Sequence, residues 1–139
     1  MRTLVVLPTF NEAANIGRVL RRVRNVVPTA DVLVVDDASP DGTAEIARSL
    51  GAELGGIDVL ARSGKLGLGS AYRDGFADGL RRGYQILVEM DSDLSHDPDA
   101  LPALLDAVQH GADLAVGSRY APGGTTSSIQ GRVPPLGTR

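Results

Sequence analysis

Five short apolar runs recur along the chain, separated by stretches in which apolar residues return every three or four positions. The runs are "RTLVVLP" (2–8), "DVLVVDD" (31–37), "IDVLA" (57–61), "YQILVEMD" (84–91) and "DLAVGSR" (113–119). They are continuous rather than alternating and rich in β-branched residues, the pattern of parallel strands covered on both faces. Between the first two, Ile16, Val19, Leu20, Val23, Val26 and Val27 follow helical spacing, and Pro28 ends the run. A second helix is predicted from Thr43 to Leu50, and Leu68, Ala71, Tyr72, Gly75, Phe76 and Leu80 mark a third. Asp97 before Pro98 reads as the N-cap and first turn of a fourth. Leu101, Leu104, Leu105 and Val108 form its apolar stripe, and Gly111 is its expected C-cap.

The order βαβαβαβαβ predicts an α/β fold with an open parallel sheet and right-handed crossovers. In such sheets ligands bind beyond the carboxyl ends of the strands. There the polar motifs collect: "PTFNE", "DDASPDG", "RSGKLGLG", "DSDLSHD" and "GSRY", one after each strand. After Tyr120 periodicity stops and Gly, Pro, Ser and Thr dominate. Residues 1–120 are therefore expected to form one domain, and residues 121–139 a loop or disordered tail.

Composition narrows the chemistry. A 139-residue chain with 42% hydrophobic residues can bury a core. A net charge of −3 gives no electrostatic footprint for nucleic acid. The absence of cysteine rules out disulfides and thiolate metal sites and suits a reducing compartment. The start, "MRTLVVLPTFNE", has too short an apolar run for a signal peptide, and no segment reaches the length of a membrane span.

Three motifs carry candidate chemistry. In "ILVEMDSDLSHDP" an apolar strand runs into Asp91, Asp93 and Asp97. Close carboxylates raise one another's pKa unless a cation lies between them. A D-x-D pair at a strand end can hold Mg²⁺ or Mn²⁺, yet the same acids also serve as strand-end caps. In "VVDDASPDGT", Asp41 suits a helix cap, while Asp36 and Asp37 sit where a base or ribose could be gripped, or are solvated turn acids. In "RSGKLGLGSAYRDG" two cations flank a glycine-spaced loop opening a helix, a place that attracts anions, although the spacing is not that of a P-loop. His96 and His110 form no nucleophilic arrangement, and Tyr72 and Phe76 read as core.

Taken together, "LPTFNEAANI", "VLVVDDASPDGT", "RSGKLGLGSAYRDGF", "VEMDSDLSHDP" and "VGSRYAPGG" resemble, in order and spacing, the family 2 glycosyltransferases. Within them the likeness is to the polyprenol-phosphate (dolichol-phosphate) mannosyltransferases. The resemblance implies a Rossmann-like sheet of the GT-A type. It also implies inverting transfer of mannose from GDP-mannose to a polyprenyl phosphate, with Mg²⁺ or Mn²⁺ as cofactor. Carried over by position, Pro8, Phe10, Glu12, Val35, Asp37, Lys65, Asp91, Ser92, Asp93 and Arg119 would bind the nucleotide sugar. Asp91, Asp93 and Ser95 would hold the metal, Ser95 standing where many relatives carry Gln. Asp93 and Arg119 would take the catalytic roles.

A cytoplasmic setting follows from the resemblance, with peripheral contact to the cytoplasmic membrane face. The stretch "TTSSIQGRVPPLGTR" does not resemble the acceptor-binding helices of relatives, so the donor half is expected without the acceptor half. A donor-binding chain without efficient turnover and a lipid-phosphate glucosyltransferase are the alternatives. A phospho-receiver domain also has an acidic strand end, but after its first strand, whereas here a complete βα unit precedes it. A nucleotidyltransferase would need a Gly-rich loop after the first strand, which is absent.

Overall fold

The computed structural model describes residues 2–92, 97–109, 115–117 and 127–129, and divides into two compact units, Met1–Ser95 and His96–Arg139. The first unit contains β1 (Thr3–Thr9), α1 (Ile16–Val26), β2 (Asp31–Asp36), α2 (Thr43–Leu54), β3 (Ile57–Ala61), α3 (Leu68–Arg81) and β4 (Ile86–Glu89). All ladders are parallel and the strand order is β3-β2-β1-β4. The chain steps outward from β1 to β3, then returns across to β4 on the other side of β1. That reversal creates a topological switch point between β1 and β4, the place where an open α/β sheet leaves a crevice.

Continuous apolar runs become strands buried on both faces. Every residue of β1 is buried, and so are Val32 to Asp36 in β2. Leu4, Val6, Leu33 and Val35 form one core cluster with Ala71 and Tyr84. The alternate positions Val5, Leu7, Val32 and Val34 are equally buried, as side-chain alternation in a two-sided sheet requires. The predicted α1 stripe is realised, with Ile16, Val19, Leu20 and Val23 buried.

Helix α2 runs four residues beyond its expected end, through Gly51. A Cβ at Gly51 would lie 2.6 Å from the Ile57 carbonyl oxygen, so glycine here allows helix and strand to approach. Helix α3 departs from its expected stripe. Leu68 and Leu80 are exposed, and the buried face is Ala71, Gly75 and Gly79. A Cβ at Gly75 would stand 2.5 Å from Val6 Cγ1, so α3 lies against the sheet through its glycines. Close approach replaces side-chain bulk, and the large leucines are left on the outside.

In the second unit, Asp97 caps as expected, its side chain accepting from the Asp99 N–H at 3.0 Å. A 3-10 turn (Pro98–Ala100) then precedes α4 (Leu101–Gln109), with Leu101 buried and Leu104, Leu105 and Val108 half-buried. The expected C-cap Gly111 lies outside the described residues. Strand β5 (Ala115–Gly117) does not extend the parallel order as the sequence suggested. It pairs antiparallel with β6 (Ser127–Ile129), in register Val116 to Ser128. That second strand falls in the stretch expected to be loop. Three residues, two of them serine, carry no periodic signal, so only pairing identifies them as a strand. Among the described residues no helix is long and apolar enough to cross a membrane.

Candidate active site

The site is built from the carboxyl ends of β1, β2 and β4 and the loop after β3. Pro8 and Thr9 remain in the ladder, opposite Val35 and Asp36. The chain then turns through Asn11 at φ 55°, a left-handed conformation that asparagine tolerates. Glu12 accepts at its carbonyl from the Ile16 N–H and starts α1.

What shapes this loop is the "DDASPDGT" segment beside it. Asp36 is buried and takes Thr9 Oγ1 at 2.7 Å, Ser39 Oγ at 2.6 Å and the Ser39 N–H at 3.0 Å. The loop amides find side chains in turn: Asn11 N–H donates to Ser39 Oγ, Glu12 N–H to Thr43 Oγ1 and Ala13 N–H to Asp41 Oδ2. Asp41 also accepts from the Thr43 hydroxyl and N–H, bonds that hold its carboxyl below the usual range. Helix α2 takes Gly42, at φ 90°, as its N-cap rather than Asp41. Two of the acids considered for gripping or capping are thus loop braces.

Asp37 is buried and ion-paired with Arg62, Nε to Oδ1 at 2.6 Å and Nη2 to Oδ2 at 2.9 Å. The Leu66 N–H adds a third bond to Oδ2 at 3.0 Å. Burial pushes the Asp37 carboxyl up, but the hydrogen bonds from Arg62 and Leu66 and the guanidinium charge prevail and hold it below its ordinary value. Arg62, counted with Lys65 as an anion-attracting cation of this loop, instead points inward. Lys65 does face the cleft, with its Nζ 4.6 Å from the centre of the Phe10 ring.

Strand β4 closes the crevice. Ser92 is buried and donates from Oγ to the Pro8 carbonyl at 2.8 Å, tying the ends of β4 and β1 together. Asp91 receives a 2.9 Å hydrogen bond from the Tyr72 hydroxyl, so Tyr72 has a polar role beyond its ring packing against Phe76.

These elements enclose a cleft of about 300 Å³ at the switch point. Of the predicted site residues, Pro8, Phe10, Glu12, Asp37, Lys65, Asp91 and Ser92 all line it. Val35 does not: its side chain lies in the core cluster under α3, with Cγ2 3.2 Å from where a Gly75 Cβ would be. Asp93, Ser95 and Arg119 lie outside the described residues. Thr9, Gly67, Leu68 and Ala71 also line the cleft and were not anticipated. Their signal was their adjacency to the strand-end motifs. A roomier groove between α1 and α2 is flanked by Arg21, Glu45 and Ser49, on the outer helical layer away from the strand ends.

The charge of the lining decides what fits. Glu12, Asp37 and Asp91 bring carboxylates, and Lys65 is the only cationic lining residue among those described. Among the described lining residues, with Asp37 paired to Arg62, carboxylates still outnumber cations. Carboxylate oxygens are hard donors, the kind a hard divalent cation takes. Among the described residues, however, no group of three His, Cys, Asp or Glu side chains could hold one.

The open parallel sheet, with its acid-lined cleft at the switch point, matches glycosyltransferases of the GT-A type in fold. A mannosyltransferase from Pyrobaculum calidifontis, solved with GDP-Man and Mn²⁺, superposes with a TM-score of 0.68 at 27% identity. The match covers 84% of this chain and 34% of that one. S. aureus TarS 1-349 gives the same TM-score at 19% identity, over 83% of this chain and 34% of that one, a likeness of fold alone.

The chain belongs to glycosyl transferase family 2, whose sequence profile matches residues 4–135. It is 55% identical over 125 residues to the polyprenol monophosphomannose synthase of Mycolicibacterium smegmatis, covering 89% of this chain and 47% of that one. It is also 55% identical over 124 residues to the undecaprenyl-phosphate mannosyltransferase of Micrococcus luteus, with 89% and 51% covered. The chain thus spans about half the length of these curated relatives.

Proposed function

We infer that this chain forms the donor-binding part of an enzyme moving mannose from GDP-mannose to a polyprenyl (dolichyl-type) phosphate, with inversion. One observation carries the reading: seven predicted donor-site residues, drawn from three strand ends and a loop, line one cleft at the switch point. The names of the relatives at 55% identity support the lipid-phosphate acceptor and the sugar.

In this reading Phe10 and Glu12 face the nucleotide from the first loop, and Lys65 meets the diphosphate. Asp91 leads a run in which Asp93 and Ser95 supply further hard oxygens for Mg²⁺ or Mn²⁺, and Arg119 contacts phosphate. A bound divalent ion would supply positive charge beside the diphosphate. The acceptor phosphate has a second pKa near 6 and is already a nucleophile at neutral pH. One of its oxygens bonds to the anomeric carbon as the bond from that carbon to GDP breaks on the opposite face. GDP leaves with the electron pair, and no general base is needed. Stabilising that leaving charge is the task of cations on the rim. A polyprenyl acceptor sets the reaction at a membrane surface, with this domain in peripheral contact on the cytoplasmic side.

The test is paired. The full chain is incubated with labelled GDP-mannose and polyprenyl phosphate, and lipid-phosphate mannose is extracted, while GDP binding is followed by calorimetry. UDP-glucose serves as the rival donor. Binding with transfer supports the reading, and binding without transfer reduces it to donor recognition. The absence of both binding and transfer overturns it.

A further inference from the structure

We propose that Arg62 is a positioning residue for the cleft, holding the 62–70 loop so that Lys65 is presented to the donor. The inference rests on reading the cleft as the donor site.

A guanidinium has five N–H groups, and all five of Arg62 are engaged. Nε donates to Asp37 Oδ1. Nη1 donates to Ser70 Oγ at 2.7 Å and Asp74 Oδ2 at 3.0 Å, and Nη2 to Asp37 Oδ2 and to the Gly67 carbonyl at 3.0 Å. No donor is left for a ligand, and the side chain of Arg62 is 4% exposed. Arg62 therefore acts through what it holds.

Its partners surround Lys65 in the chain. The Leu66 N–H is pinned to Asp37, the Gly67 carbonyl to Arg62, and Ser70 and Asp74 bring in the first turns of α3. Gly67 at φ 101° completes the turn, a conformation that a side chain would strain. The Arg62 N–H, bonded to the Asp36 carbonyl at 2.8 Å, anchors the other end of the loop to β2. The backbone on both sides of Lys65 is thus fixed, while its side chain is exposed and rests over Phe10. A fixed base with an exposed, charged tip places a cation at the cleft without ordering the loop on each binding event. Lysine could not replace Arg62, because an ammonium cannot form the planar two-bond fork to Asp37.

The test is a double-mutant cycle on GDP affinity in the full chain, by calorimetry. In the parent, Lys65→Ala should weaken GDP binding roughly tenfold, the scale of one charge-assisted hydrogen bond. In the Arg62→Lys background the same substitution should cost less than about twofold. Amide exchange should show the Leu66 N–H losing protection there while Val5 and Val34 in the sheet keep theirs. If Arg62→Lys does not fold, Ser70→Ala with Asp74→Asn releases Nη1 alone, and the Lys65 effect should shrink in that variant. An undiminished Lys65 effect in either folded background overturns the inference, as does a silent Lys65→Ala in a parent that binds GDP. A parent that does not bind GDP overturns the donor reading itself, and the inference with it.

Discussion

Replacing Asp37 by asparagine should destabilise the first unit far more than an ordinary ion-pair deletion. In the Asp37–Arg62 pair both side chains are more than nine-tenths buried. Asparagine keeps the shape but turns one oxygen into an NH₂ group. On the Oδ2 side that group would face two donors, Arg62 Nη2 and the Leu66 N–H; on the Oδ1 side, one, Arg62 Nε. At best one buried donor is orphaned, and the Arg62 charge keeps only Asp74, whose side chain is 53% exposed.

Removing one partner of a buried pair costs about 3–5 kcal/mol, and the surviving Asp74 contact favours about 3. For a unit of this size that lowers Tm by roughly 12–24 °C. The pH dependence has a definite sign. The Asp37 carboxyl is held below its unfolded value of ~3.9, so its stabilisation is fully present above that pH. It is lost as pH falls through the lower folded value. The gap between parent and Asp37→Asn should therefore be full at neutral pH and narrow below about pH 4.

Thermal melts followed by circular dichroism, from pH 3 to 8, measure both. The Arg21–Glu53 pair is the control: at 2.7 Å it is as short, but both side chains are 54% exposed. Glu53→Gln should leave Tm unchanged, since solvent screens such pairs. A drop of less than about 5 °C for Asp37→Asn, or a gap that stays constant through acid, would refute the clamp.

Three further outcomes follow from the same geometry. Gly75→Ala puts a methyl 2.5 Å from Val6 Cγ1 and 3.2 Å from Val35 Cγ2, so α3 must lift; denaturant titration should show a loss of about 1–3 kcal/mol. Ala38 sits at φ 54° beside the cleft, so Ala38→Val should destabilise by about 1–2 kcal/mol while Ala38→Gly is neutral or better, readable in the same titration. Mn²⁺ should tighten GDP binding, and Asp93→Asn should abolish that gain with little change in Tm; calorimetry showing equal metal dependence in the variant would remove Asp93 from the metal set.

Continuous apolar runs and three-to-four spacing are local properties, so the sequence alone determined the first four strands, the first helix and the strand ends at which the cleft residues gather. Strand order 3-2-1-4 places "PTFNE" beside Asp91 and Ser92, and seven residues chosen along the chain meet in one cleft. Only tertiary structure decided which carboxylate does what. Asp36 and Asp37 are neighbours in sequence, and nothing in their spacing says that one braces Thr9 and Ser39 while the other clamps Arg62, 25 residues away. Thr9 and Arg62 arrive through the pairing of β1, β2 and β3, which no local period encodes. The same holds for Val35: its place at the end of a strand was legible, but the side it faces depends on strand alternation against the buried glycines of α3. Leu68 and Leu80 were expected inside by their spacing and lie outside, because Gly75 and Gly79 bring the helix too close to the sheet for leucine to fit between.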